Sequence, residues 1–70
     1  MERKSVNSGT IRSVGYDARE QVLEIEFTQG GIYQYSRVSP EVYRRLLAAP
    51  STASYFKDQI EENYSAKRMR

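Results

Sequence analysis

The feature that most constrains the fold is an alternating run at residues 22–27, VLEIEF, followed at once by TQGG. Leu23, Ile25 and Phe27 alternate with glutamates, which is typical of a half-buried β-strand with one apolar and one charged face. The glycines of TQGG can adopt the positive φ of a tight hairpin, so IYQYSRV at 32–38 is predicted to be the next strand. The sequence therefore predicts an antiparallel sheet with one buried face.

The length of the hairpin turn decides where the two tyrosines of the second strand point. A two-residue turn places Tyr33 opposite Glu26 on the exposed face, whereas a three-residue turn at 29–31 places Tyr33 opposite Phe27, so that Tyr33 and Tyr35 are core residues. A slip of one residue exchanges the two faces. We favour the three-residue turn, because it puts a glycine at the third loop position and gives the helices a broad aromatic surface to pack on.

A weaker strand precedes the hairpin at residues 10–16, TIRSVGY. Val14 and Tyr16 share a face, and Ile11 is out of phase with them, which a β-bulge or a late strand start would explain. Residues 1–9 are polar and are interpreted as a flexible lead-in. The sequence thus predicts three strands.

Two amphipathic helices are predicted after the strands. Ser39 and Pro40 are typical of an N-cap and a first helical position, and Pro50 ends this helix. Ser51 can cap a second helix of nearly four turns. Its apolar stripe consists of Ala53, Phe56, Ile60 and Tyr64. The predicted fold is α+β, a three-stranded antiparallel meander followed by two helices packed on one face of the sheet, β-β-β-α-α.

Charge is distributed unevenly along the chain. The whole chain carries a formal charge of +2, its first four residues +1 and its last five, AKRMR, +3, which leaves −2 for residues 5–65. We interpret residues 10–65 as a single domain and 66–70 as a basic C-terminal tail. Such a tail is more often a solubilising end than a dedicated nucleic-acid arm.

The composition argues against catalysis. The chain has no cysteine and no histidine, so thiolate nucleophiles, thiolate metal sites and the usual general base are excluded. Asp17 and Glu20 share a turn, where carboxylates are typically solvated or capping groups. We expect no enzyme activity, no metal and no cofactor. No apolar run reaches membrane-spanning length and the N-terminus lacks the apolar core of a signal peptide, so we expect a cytoplasmic protein without a membrane partner.

Four segments in this order and spacing resemble the KTSC domain. They are SVGYD at 13–17, F…GG.YQY at 27–35, V.PEVY at 38–43 and APS…SYF at 49–56. The family is named for its occurrence at the C-terminus of some lysyl-tRNA synthetases, and it also occurs as single-domain bacterial proteins. The resemblance covers about residues 6–65, and its Y-x-Y hallmark matches Tyr33-Gln34-Tyr35.

The resemblance implies a small binding module, for which RNA binding is suggested by the synthetase context. The chain departs from the family pattern at Ser39, which intervenes before the proline. It also has Ala53 where a glycine is usual and Lys57 where an asparagine is common. These departures leave the expected fold undisturbed.

Two functions are therefore considered, RNA binding and protein binding. Aromatic side chains flanked by cations can stack bases and hold phosphates. The candidate residues are Tyr33, Tyr35, Arg12, Arg37, Arg44, Arg45, Lys67, Arg68 and Arg70. The acidic body and the glutamates of the central strand oppose this hypothesis. The alternative is a protein partner, or a second copy of the chain as a homodimer, bound at a sheet edge or on the open sheet face.

Overall fold

A five-stranded antiparallel sheet forms the frame of the molecule, in a computed structural model that describes residues 3–70. The strands follow one another in the sheet in chain order. They are β1 Arg3–Ser8, β2 Ile11–Asp17, β3 Val22–Phe27, β4 Ile32–Tyr35 and β5 Ala66–Arg68. The predicted α+β class is confirmed, but the prediction of three strands is wrong, because the polar segments at the two ends of the chain form the edge strands.

The two edge strands lack the apolar alternation that identifies a strand in sequence. In β1, Val6 packs against the core, and all three residues of β5 are exposed. β5 is held by backbone hydrogen bonds that extend its pairing with β4, including one from Met69 N to the Ile32 carbonyl at 2.7 Å. Segments that we interpreted as a lead-in and a tail therefore complete the sheet.

The β3–β4 hairpin has a three-residue turn, as predicted, but at Thr28–Gly30 instead of one residue later. Phe27 N donates to the Gly31 carbonyl at 3.1 Å, and Gly30 adopts a φ of 100°, which favours glycine. Tyr33 consequently pairs with Ile25, so the predicted pairing with Phe27 is wrong. The partner changes by two positions, which leaves each tyrosine on the predicted, apolar face.

The β2 strand contains the irregularity that its apolar pattern predicts. Its register against β3 changes between Ile11, which pairs with Phe27, and Ser13, which pairs with Glu26. Arg12 is the extra residue of this bulge. The bulge brings Ile11 into phase with the rest of β2, and its side chain is fully buried.

The first helix, α1 Pro40–Ala48, begins and ends where the sequence predicts. The Ser39 hydroxyl accepts a hydrogen bond from Val42 N at 3.4 Å, and Ala49 is extended because Pro50 follows it. Leu46 is fully buried against the sheet. The Tyr43 ring stacks on Tyr16 with 4.9 Å between ring centroids, which joins the helix to β2.

The second helix is shorter than predicted. α2 Thr52–Tyr55 is capped by the Ser51 hydroxyl, which accepts from Ser54 N at 3.2 Å. It continues into a π-helical turn, Phe56–Ile60, in which Glu61 N donates to the Phe56 carbonyl at 2.9 Å. Spacings of three and four residues fit an α-helix, so the sequence does not distinguish the wider turn. The predicted apolar stripe nevertheless packs on the core.

A single core lies between the helices and one face of the sheet. Its buried side chains are Ile11, Val14, Leu23, Ile25, Tyr35, Val38, Leu46, Phe56 and Ile60. Tyr35 is 5% exposed, so the core assignment of this tyrosine is confirmed. Within residues 3–70, no helix is both long enough and apolar enough to cross a bilayer.

Candidate functional site: an aromatic groove at the hairpin end of the sheet

The sheet face away from the helices carries a network of polar side chains. Glu24 accepts hydrogen bonds from Arg3 and from Gln34, both at 3.0 Å. Arg3 reaches Glu24 across Gly15, which lies between them in the sheet and has no side chain to intervene. Glu26 accepts from the Ser13 hydroxyl at 2.8 Å. Carboxylates so placed disfavour a phosphate backbone on this face.

The helix-covered face leaves a groove open where the β3–β4 hairpin meets α2. The groove has a volume of about 700 Å³, which lies within the usual range of ligand pockets. Its walls are aromatic, formed by Phe27, Tyr33, Tyr35 and Phe56. The hairpin and the start of the second helix thus form an apolar surface that the chain itself does not cover.

The four rings of this aromatic groove contact one another edge to face. Tyr33 and Phe27 have their centroids 5.6 Å apart, and Phe27 and Phe56 are also separated by 5.6 Å. Phe56 and Tyr35 are 5.3 Å apart. Each such pair contributes about 0.5–1.5 kcal/mol beyond its burial. The rings therefore form a continuous wall with fixed geometry.

Strand β5 places a cation on Tyr33. Arg68 pairs with Tyr33 in the sheet, and its guanidinium carbon lies 5.9 Å from the centroid of the Tyr33 ring. This distance is within the range of a cation–π contact. The basic C-terminal segment is thus an ordered strand that brings one positive charge to the aromatic groove.

The π-helical turn supplies the charged groups of the groove. Lys57 and Glu61, at the two ends of the turn, both line it. Burial of the Tyr35 ring raises the pKa of its hydroxyl, and the negative charge of Glu61 and the nearby Tyr33 raise it further. Single π-helical turns occur frequently at functional sites, which agrees with the position of this one.

The raised pKa of Tyr35 predicts a pH dependence of stability. The folded state holds the phenolic proton more tightly than the unfolded chain does, so this stability is fully present below about pH 10 and is lost as pH rises through the folded-state pKa. We expect the free energy of unfolding to decline less steeply above pH 10 in Tyr35→Phe than in the wild type. Urea titrations at several alkaline pH values measure the difference, and parallel declines would contradict the prediction.

The structure brings only some of the predicted site residues together. Tyr33 and Tyr35 line the groove, and Arg68 contacts it through the Tyr33 ring. Lys67 pairs with Gln34 and so lies on the opposite sheet face. The other candidates are exposed and lie elsewhere: Arg12 in the β2 bulge, Arg37 before α1, Arg44 and Arg45 on α1, and Arg70 beyond β5. Arg45 forms an ion pair with Glu41 at 2.8 Å.

Nine of the eleven residues that line the groove are missing from the sequence-based set, and four of these nine have aromatic or charged side chains. Phe27 and Phe56 were assigned to the core alone, although each also forms a wall of the groove. Lys57 and Glu61 lie outside the predicted apolar stripe of the second helix, and both line the groove beside the π-helical turn. Within residues 3–70, no cluster of three carboxylate, imidazole or thiol side chains could hold a metal ion.

The family model of the KTSC domain matches residues 7–64, most of the chain. The chain belongs to the KTSC domain family. A KTSC domain protein of Yersinia pestis has a similar crystal structure, with a TM-score of 0.96 and 30% sequence identity over 99% of this chain and 97% of that one. The whole five-stranded KTSC fold described above is therefore shared with a solved structure.

Two relatives show the settings in which similar sequences occur. An uncharacterized protein of Stutzerimonas stutzeri is 45% identical over 64 residues, which are 91% of this chain and 90% of that protein. A lysine–tRNA ligase of Nostoc punctiforme is 32% identical over 59 residues, which are 84% of this chain but 10% of the ligase. The KTSC domain thus corresponds to a whole small protein in one case and to a small part of a tRNA ligase in the other.

Proposed function

We propose that this KTSC domain is a non-catalytic RNA-binding module that holds an unpaired nucleobase in the aromatic groove. The observation that carries the proposal is the aromatic wall of the groove, in which the rings of Phe27 and Tyr33 are only half-buried. Arg68 lies on the Tyr33 ring, and Lys57 lines the groove. Every base presents a flat π-face and a polar edge. Stacking on aromatic side chains contributes about 1–3 kcal/mol per base.

The charge distribution supports single-stranded RNA over a duplex. Residues 5–65 carry −2 and the open sheet face presents Glu24 and Glu26, which disfavours a duplex backbone on that face. A splayed base needs only a local pocket and a few nearby cations. The match to part of a lysine–tRNA ligase, a protein that acts on tRNA, also supports an RNA ligand.

A protein partner is the second candidate, and two features favour it. β5 is a short, exposed edge strand beside the groove, so a partner strand could pair with it while an apolar side chain enters the groove. Glu61 at the groove is better tolerated by a peptide than by a phosphate backbone. Failure of the RNA experiment below would favour this alternative.

The test is an amide NMR titration of the domain with a short mixed-sequence single-stranded RNA at about 50 and about 200 mM salt. We expect saturable shifts at Gly30, Tyr33, Phe56 and Lys57 that persist at the higher salt, because base contacts are less sensitive to salt than phosphate contacts. The same sequence as a duplex is the control, and it should not shift the groove residues.

A different pattern of shifts would contradict RNA binding in the groove. Shifts confined to residues 66–70 that disappear at about 200 mM salt would indicate nonspecific electrostatic binding of RNA to the basic C-terminal segment. That result would overturn the proposed function.

A further inference from the structure

A second cavity lies where strand β4 ends, on the far side of Tyr35 from the hairpin. It has a volume of about 510 Å³ and is lined by Ser36, Arg37, Asn63, Tyr64 and Ser65. Four of these five side chains are polar and the fifth, Tyr64, carries a hydroxyl, in contrast to the aromatic groove. Ser36 N donates to the Ser65 carbonyl at 3.2 Å, which holds the two walls together. We call this cavity the Arg37 pocket.

The backbone at Arg37 has an unusual conformation for its residue type. Its φ is 62°, in the left-handed region that costs a non-glycine residue about 1–2 kcal/mol. The next residue fixes this geometry, because Val38 N donates to the Gln21 carbonyl at 2.8 Å and the Val38 carbonyl accepts from the Tyr16 hydroxyl. Backbone strain that the surroundings maintain is concentrated at functional positions.

The Arg37 side chain is exposed and available to an anion. Among residues 3–70, the ion pairs are Arg3–Glu24 and Arg45–Glu41, and neither involves Arg37. A guanidinium offers a planar fork of donors that matches two phosphate oxygens. The hydroxyls of Ser36 and Ser65 add donors beside it, as a phosphate site requires.

The Arg37 pocket lies close enough to the aromatic groove for one RNA strand to reach both. Tyr33 lines the groove and Ser36 lines the pocket, and three residues of strand separate their Cα atoms by about 10 Å. An unstacked nucleotide chain spans such a distance. We propose that the Arg37 pocket binds a phosphate group of the RNA strand whose base occupies the aromatic groove. This inference rests on the proposed function, which supplies the RNA ligand.

The test compares RNA binding of Arg37→Asn with that of Arg44→Gln. Asparagine tolerates the left-handed conformation, so Arg37→Asn removes the charge while keeping the loop geometry. Arg44 is an exposed arginine on α1 that lines neither cavity. We expect Arg37→Asn to weaken binding of the short single-stranded RNA about tenfold and to reduce the slope of log K against log salt by about 0.7. Arg44→Gln should leave both quantities nearly unchanged.

The experiments distinguish failure of the proposed RNA site in the aromatic groove from failure of the proposed phosphate site in the Arg37 pocket. RNA shifts at the groove together with an unchanged affinity and salt slope in Arg37→Asn would overturn the pocket and leave the proposed function standing. Equal losses in the two variants would also overturn it, since they would reflect net charge alone.

A titration with inorganic phosphate tests whether the Arg37 pocket binds a phosphate group in the absence of RNA. We expect it to shift the amides of Ser36, Arg37 and Ser65 in the wild type, to leave the aromatic groove unchanged, and to have no effect in Arg37→Asn. If phosphate shifts the pocket but RNA shifts neither site, the pocket binds another phosphate-bearing ligand, and its assignment to RNA is overturned.

Discussion

Tyr35→Ala is expected to lower the free energy of unfolding by about 3 kcal/mol or more. The ring is 5% exposed and packs edge to face on Phe56, so its removal loses apolar burial and leaves a cavity. A domain of this length has a total stability of only about 3.5–10 kcal/mol, so the variant should lose a large share of it. Urea denaturation followed by circular dichroism measures the effect.

Two further variants separate packing from other roles of this side chain. Tyr35→Phe keeps the ring and should change the stability by less than about 1 kcal/mol. Tyr33→Ala should cost less than Tyr35→Ala, because Tyr33 is only half-buried. A loss below about 1 kcal/mol in Tyr35→Ala would contradict the core assignment.

The sequence predicts the face of each tyrosine more securely than its partner. Whether a strand residue points into the core depends on whether the register shift is odd or even. The predicted and observed hairpins differ by two positions, so the partner of Tyr33 changes from Phe27 to Ile25 while its face does not. The exact turn depends on backbone hydrogen bonds at Phe27 and Gly30, which side-chain patterns do not specify.

The pattern of apolar residues in the sequence does not predict the edge strands or the π-helical turn. β1 and β5 contribute little to the core, and they are held mainly by backbone pairing together with the side-chain contacts of Arg3 and Arg68. The π-helical turn keeps Phe56 and Ile60 buried at a spacing of four residues, which an α-helix also allows. These are elements in which tertiary contacts, and not periodicity, decide the structure.

The same limits explain which site residues were predicted. Tyr33 can be identified as a candidate from the sequence, because its strand has a clear pattern and it belongs to the family's Y-x-Y motif. Arg68 can be identified only as part of a basic segment. Its contact with Tyr33 requires β5, which has no apolar signature. Lys57 and Glu61 reach the aromatic groove through the π-helical turn. The aromatic wall therefore comes largely from the predictable hairpin, whereas the charged groups come from the least predictable elements of the fold.

Ser54→Trp is expected to weaken binding of the short single-stranded RNA at least about tenfold, because the indole would occupy the mouth of the aromatic groove in place of a base. Ser54 lines the groove, and its side chain is exposed. Its contribution to the helix cap comes from its backbone N–H, which donates to the Ser51 hydroxyl. The substitution should therefore change the stability by only about 0.5 kcal/mol. Fluorescence anisotropy with labelled RNA measures the affinity.

Ala48→Trp is the matched control for this blocking substitution. Ala48 is an exposed residue at the end of α1 that lines neither the groove nor the Arg37 pocket, so it adds the same indole at a neutral surface position. RNA affinity should remain within about twofold of the wild type in this variant. Wild-type affinity in Ser54→Trp, with no shift of the groove amides on RNA addition, would show that the base lies elsewhere. A similar loss in both variants would show that an added surface indole, and not occlusion of the groove, weakens the complex.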